Sequence, residues 1–233
     1  EFLNDKVIPP VLTFVNTKPV TALKNGMMFV MPLTIVGAIF LLLGNLPIPA
    51  WTAWLATPGF PSTLAAIFTG VYVATFNLLG IVACMGITYS WVRNEGYEAA
   101  PAAFWALSTM ILLTPLEVLP EGATEPVAGV IPLVWSGSQG MVGGILIAFF
   151  VSIVYTWFLR KDITIKMPDG VPPNVATAFT SLIPGVVIML LASVVFGIFR
   201  AFDTTMIEAI YSAIQAPLQG LSDSQPGILI VAF

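Results

Sequence analysis

Residues 25–92 read NGMMFVMPLTIVGAIFLLLGNLPIPAWTAWLATPGFPSTLAAIFTGVYVATFNLLGIVACMGITYSWV, and no side chain between Lys24 and Arg93 carries a charge. A transmembrane helix needs about 20 mostly apolar residues, so two spans fit this stretch. The first is expected at about 27–46, where Asn45-Leu46-Pro47-Ile48-Pro49 ends it because proline cannot donate to a continuing helix. Pro32 lies in its first turns and predicts a kink. A loop carrying Pro58 and Pro61 leads to a second run at 62–92. That run is longer than a bilayer requires, so it must tilt, bend or protrude.

Three more apolar segments follow at about 99–115, 140–159 and 175–199. The expected fold is an all-α membrane protein with five transmembrane helices, an amphipathic interfacial helix and the start of a sixth span. Composition agrees. Of 233 residues, 58% are hydrophobic and only 9% charged, with a mean hydropathy of +0.95. Soluble domains carry about 25% charged residues, and so few could not cover a water-facing surface. The net charge of −4 offers no positive field to a phosphate backbone, so nucleic acid is excluded as a partner.

Basic residues mark the cytoplasmic side of a multi-pass protein. With the N-terminus inside, five alternating spans put Lys6, Lys18, Lys24, Arg93, Arg160, Lys161 and Lys166 on that side, seven of the eight basic residues, and Arg200 outside. The acidic loop with Glu117, Glu121 and Glu125 also lies outside. Residues 3–24 mix apolar side chains with Asp5, Lys6, Asn16 and Lys18 and read as an amphipathic segment at the cytoplasmic face. Residues 204–219 form a second one. Thr205 and Glu208 make a capping box, Ile207, Ile210, Tyr211, Ile214 and Leu218 recur at helical spacing, and Pro217 limits where the helix can end. The expected division is therefore 1–24, an amphipathic N-terminal segment; 25–200, the five-span unit; 201–222, a linker helix; and 223–233, where PGILIVAF begins a sixth apolar run.

Histidine is absent, which removes histidine-based triads, general bases and metal ligands. The single cysteine, Cys84, sits in IVACMGITY without a charged neighbour and reads as a packing residue. No catalytic residue, metal site or cofactor is expected in this chain. The spans also lack charge, whereas ion-coupled transporters place ionisable groups at membrane depth. A neutral, hydroxyl-rich substrate held by amides and hydroxyls is compatible with that absence. Asn77, in ATFNLLGI, is an uncharged polar group at membrane depth and needs a partner, either another helix or a substrate hydroxyl. In IKMPDGVPPNVATAF (165–179), Asp169-Gly170 favours a turn and Pro172-Pro173 stiffens the chain ahead of Asn174. This segment reads either as backbone lining a cavity or as a loop capping the fifth span. Gly140, Gly143 and Gly144 match the small-residue pattern that lets helices approach closely, within the chain or across a dimer. Trp51, Trp54, Trp91, Trp135 and Trp157 fall near span ends, where aromatic belts form.

NGMMFVMPLTIVGAIFLLLGNLPI (25–48), LLGIVACMGITYSWV (78–92) and IKMPDGVPPNVATAFTSLIPG (165–185) resemble the enzyme IIC permeases of the bacterial phosphoenolpyruvate-dependent sugar phosphotransferase system. The lactose/cellobiose/diacetylchitobiose branch is the most similar. The resemblance implies a protein of roughly twice this length, of which the chain is the N-terminal piece. It further implies that the five-span unit is a dimer-interface domain and that the helix after it leads to a substrate-carrying domain. The implied activity is uptake of a β-linked disaccharide in the bacterial cytoplasmic (inner) membrane, with phosphoryl transfer from a separate phosphorylated IIB subunit. The family's histidine in a Phe-Gly-Ile-His-Gly motif, and a glutamate further on, would fall after Phe233. Within this chain Asn77 and Asn174 are the candidate sugar contacts, with Pro172 and Pro173 shaping the loop. Two other readings remain open, part of an ion-coupled secondary transporter and a structural module that dimerises in the lipid bilayer.

Overall fold

The computed structural model describes residues 8–118, 125–168 and 170–222. It opens with α1 (Ile8–Val15), α2 (Lys18–Met27) and α3 (Met31–Gly44). The last two form one apolar run of 27 residues, Lys18–Gly44, interrupted at 28–30. There the amides of Phe29, Val30 and Met31 donate to carbonyls three residues back. Pro32, lacking an N–H and crowding the preceding turn, makes this a break rather than the expected kink. The apolar run thus starts at Lys18 rather than near residue 27. Ala22 and Gly26 are buried where α2 lies against α6.

After α4 (Pro49–Leu55), the expected run at 62–92 is an apolar stretch of 35 residues that breaks at Asn77-Leu78 into α5 (Phe60–Phe76) and α6 (Leu79–Asn94). α7 (Ala100–Leu112) has only 13 residues. Two short strands, β1 (Glu117–Val118) and β2 (Val127–Ala128), pair antiparallel in the acidic loop and are the only strands among the described residues. α8 (Leu133–Ser136), α9 (Met141–Arg160), α10 (Pro173–Thr180), α11 (Leu182–Arg200) and α12 (Met206–Ser222) complete the described elements. Among the described residues four helical runs are long and apolar enough to cross a membrane: Lys18–Gly44, Phe60–Asn94, Met141–Arg160 and Pro173–Arg200. α7 corresponds to the expected third span but falls short of that length.

α6 is the centre of the bundle, lying against α2, α7 and α9. Helices in lipid have little hydrophobic force drawing them together, so close contact depends on small side chains. The crossings show it. A Cβ on Gly26 would sit 2.4 Å from the Ile87 backbone, and one on Gly86 would sit 2.7 Å from the Gly26 carbonyl oxygen. A Cβ on Gly144 would lie 3.0 Å from the Gly80 carbonyl oxygen and 3.4 Å from Cys84. One on Gly143 would come within 3.0 Å of Ile207 on α12. Gly140 precedes α9, where the Trp135 carbonyl leaves no room for a side chain. Buried Thr88, Ser152 and Thr156 return their hydroxyls to the carbonyls four residues back, and Thr88 also reaches Ala148 on α9. α3 and α5 pack chiefly on each other, and large side chains such as Ile35, Ile39, Leu42 and Ile67 face outward, as a lipid-solvated wall requires.

Two charged clusters mark opposite ends. Lys18, Glu95 and Arg160 meet where α2 begins and where α6 and α9 finish, while Glu117 pairs with Arg200 just beyond α7 and α11. α6 and α9 therefore run toward the first end, and α7 and α11 run away from it. α12 starts at the second end with its capping box formed, since the Thr205 amide donates to Glu208 at 3.0 Å and the Glu208 amide to Thr205 Oγ1 at 3.4 Å. The backbone of α12 continues through Pro217 to Ser222, since one proline removes a single ladder bond. The sixth apolar run at 226–233, Glu121 and Asp169 lie outside the described residues.

Candidate functional site

Asn77 stands at the break between α5 and α6. Its own amide still reaches the Val73 carbonyl, at 3.2 Å, and the Leu78 amide donates to the Thr75 carbonyl three residues back, at 3.3 Å. Among the described residues no backbone carbonyl receives the N–H groups of Leu79, Gly80 and Ile81, the first turn of α6. Free backbone donors at membrane depth are tolerated only where protein or a polar cavity covers them. The cover is the Ser136-Gly137 backbone. A Cβ on Gly80 would sit 2.6 Å from the Gly137 carbonyl oxygen, and one on Gly137 would sit 3.2 Å from Asn77 Cα. Two irregular backbone stretches thus cross with an amide, hydroxyls and unpaired N–H groups around them. Such a polar elbow can hydrogen-bond a neutral polyhydroxyl compound and holds no ionisable side chain. Sequence reasoning found Asn77 but took 140–144 only as a packing motif. The polar run SGSQG between two apolar segments was the signal for the rest.

Pro172 precedes α10 and Pro173 opens it, where a missing N–H costs nothing, so Asn174 projects from the first turn and is exposed. α10 lies beside the start of α7, across a cavity lined by Ala100, Phe104, Ala178 and Ser181. Asn174 is therefore near the Lys18–Glu95–Arg160 end, and Asn77 is separated from that end by the whole of α6. The structure does not bring the two together.

Glu95 organises the first end. Its carboxylate accepts from Lys18 Nζ at 2.7 Å and from Arg160 Nε at 3.1 Å. The Lys18 hydrogen bond foremost, with Arg160 adding to it, holds the Glu95 carboxyl below the usual carboxylate range despite partial desolvation. This ties α2, α6 and α9 together, a role the sequence did not announce because Glu95 lies 77 positions from Lys18 and 65 from Arg160. No group of three or more His, Cys, Asp or Glu side chains is gathered for a metal ion among the described residues.

Taken together, long apolar helices, glycine-mediated crossings, lipid-type outer walls and charges confined to the two ends define a helical membrane protein. Residues 24–233 match the family "Phosphotransferase system, EIIC", and the chain belongs to that family. The lichenan permease IIC component of Bacillus subtilis (strain 168) is 33% identical over 238 residues, covering 99% of this chain and 52% of that protein. The PTS system cellobiose-specific EIIC component of Geobacillus stearothermophilus is 35% identical over 191 residues, covering 80% of this chain and 42% of that protein. Among solved structures, the transporter ChbC, the IIC component from the N,N'-diacetylchitobiose-specific phosphotransferase system, superposes with a TM-score of 0.86 at 30% identity, over 99% of this chain and 54% of that one. The chain thus spans about half the length of these relatives.

Proposed function

We propose that this chain is the scaffold half of a permease subunit that takes up a β-linked disaccharide while a phosphorylated IIB subunit modifies it. The carrying observation is the likeness to ChbC along nearly the whole chain, joined by relatives named for cellobiose and lichenan. The threading follows from the two charged ends. Lys18, Arg93, Arg160 and Lys161 gather at one, which basic-residue bias makes cytoplasmic, and the Glu117–Arg200 pair sits at the other. α7 then completes five crossings of the bacterial inner membrane, with the N-terminus inside and α12 on the outer face. The outward apolar walls serve lipid and a second copy of the subunit. Asn77 and the elbow around it supply neutral donors and acceptors toward the sugar path from one side, and Asn174, set by Pro172 and Pro173, borders it at the cytoplasmic mouth.

Uptake tests this reading. Vesicles carrying the full-length permease and its phosphorylated partners should accumulate labelled cellobiose or diacetylchitobiose as the phosphorylated sugar. Accumulation of unmodified sugar driven by a proton or sodium gradient would refute it. Cysteines placed at positions 117 and 161 should label from opposite sides of intact cells, and labelling from one side would refute the threading.

A further inference from the structure

The bundle leaves one stripe of α6 uncovered. Val82, Met85, Tyr89 and Arg93 follow one another three or four residues apart on a single face. Phe29, in the break after α2, stands on one side of them and Ala103 of α7 on the other. Together they wall a groove of about 420 Å³ that opens outward. From Val82 to Arg93 the helix rises about 16 Å, so the groove runs from the end of the apolar helix through roughly half the hydrocarbon, the reach of one acyl chain.

Arg93 is exposed and is the only charged group on the groove's lining among the described residues. No carboxylate among the described residues pairs with it, whereas Lys18 and Arg160 share Glu95 at the same end. A cation at the end of a membrane helix ordinarily stretches toward water. Arg93 does the reverse. Its guanidinium folds back by one turn, donates from Nη1 to the Tyr89 hydroxyl at 2.7 Å and lies 5.7 Å from the centre of that ring. Phe29 meets the same ring edge-on, with centroids 5.9 Å apart, and holds the phenol in place. The Tyr89 oxygen accepts from Arg93, and its own proton goes to no acceptor among the described residues.

A groove one leaflet deep, headed by an unbalanced guanidinium and a hydroxyl with a proton to give, has the complementary chemistry of a phospholipid. We propose that it binds an anionic phospholipid such as phosphatidylglycerol, with one acyl chain along Val82 and Met85 and the phosphate on Arg93 and Tyr89. An anionic lipid is favoured over a zwitterionic one because the latter brings its own cation beside a site whose charge is positive. The bound lipid covers the open stripe of the central helix between the break after α2 and α7. This inference rests on the chain lying in a membrane, with either end inside, and not on transport.

The test is lipid binding to the full-length permease, delipidated in mild detergent and followed by native mass spectrometry. Phosphatidylglycerol should bind roughly three- to tenfold tighter than phosphatidylcholine of the same acyl chains. Arg93→Gln, at an exposed position, should weaken phosphatidylglycerol binding roughly tenfold, and Tyr89→Phe, which keeps the ring against Phe29, roughly two- to fivefold. Lys161→Gln removes a cation from the same end but away from the groove and should leave binding within twofold. Equal affinity for the two lipids overturns the proposal, as does an equal loss in Lys161→Gln and Arg93→Gln, which would mean diffuse attraction. Wild-type binding by Arg93→Gln also overturns it, since the groove is then covered by another part of the permease or by a second copy. Displacement of phosphatidylglycerol by millimolar glycerol 3-phosphate overturns it too, because the site would then serve a free anion.

Discussion

The crossing of α2 and α6 gives the most direct test of how the bundle is held. Carbon atoms in contact sit about 3.5–4.0 Å apart. A Cβ at position 26 would lie 2.4 Å from both Ile87 Cα and Ile87 N. Those are backbone atoms of the central helix and cannot rotate away, so Gly26→Ala must push α2 outward by about 1 Å. A gap of that size forfeits a quarter to a half of the dispersion energy along the contact. The expected loss is about 3 kcal/mol, at the upper end of overpacking costs. For a chain of this size that lowers the melting temperature by roughly 6–12 °C. Gly70→Ala is the matched control. Nothing lies within 4 Å of a Cβ there, on the exposed face of α5. Relief of glycine's helix penalty should raise stability by about 0.5–1 kcal/mol. Melting of the two variants in the same detergent, followed by tryptophan emission, decides the matter. If Gly26→Ala melts within a degree of wild type, or Gly70→Ala falls equally far, close backbone approach is not what joins these helices.

Glu95→Gln should cost about 1 kcal/mol at neutral pH, since it unties two cations from a partly exposed carboxylate. Because the folded-state carboxyl is held low, its contribution is complete above the ordinary carboxylate range and is lost as pH falls through the folded value. The gap between wild type and Glu95→Gln should therefore narrow as pH falls below the ordinary glutamate value in a melting series, and a constant gap would refute the assignment. Cys84 is fully buried between α6 and α7. A maleimide should leave it unlabelled in the folded protein and react after denaturation in SDS, whereas rapid labelling of the native form would break the α6–α7 packing. In the full-length permease, Asn77→Ala should weaken sugar uptake roughly three- to tenfold without impairing insertion, and unchanged kinetics would remove the elbow from the sugar path.

The apolar runs were legible because hydropathy acts through composition over about twenty residues, and a count of charges suffices to find them. Their interruptions were not equally legible. Pro32 announced a disturbance, but whether it kinks or breaks a helix depends on the turn at 28–30 and on the helix that Lys18–Met27 adds before it. The break at Asn77-Leu78 carries no glycine or proline at all. It exists because Gly80 and Gly137 let two backbones meet, a long-range fact that no local pattern encodes. Asn77 itself was visible as a polar residue in an apolar run. Gly137, its neighbour in space, was hidden by its distance in sequence, as was the convergence of Lys18, Glu95 and Arg160. Thr205 and Glu208, by contrast, form a local motif four residues long, and the cap they make is the one the spacing implied.

The shortness of α7 shapes the far end of the bundle. Thirteen residues rise only about 20 Å, against roughly 30 Å of hydrocarbon. Its neighbours α9 and α11 continue, so the chain from Leu113 to Leu116 climbs the remaining depth as coil, with Leu113, Thr114 and Pro115 sheltered inside the protein. A hollow of about 410 Å³, floored by Thr114 and Pro115 and rimmed by Glu117, Arg200 and Asp203, occupies the missing turns. Thr114, Glu117, Arg200, Asp203, Thr204 and Glu208 line that hollow, so hydroxyl and charged groups stand beside the short end of α7 where its neighbours are still apolar helix.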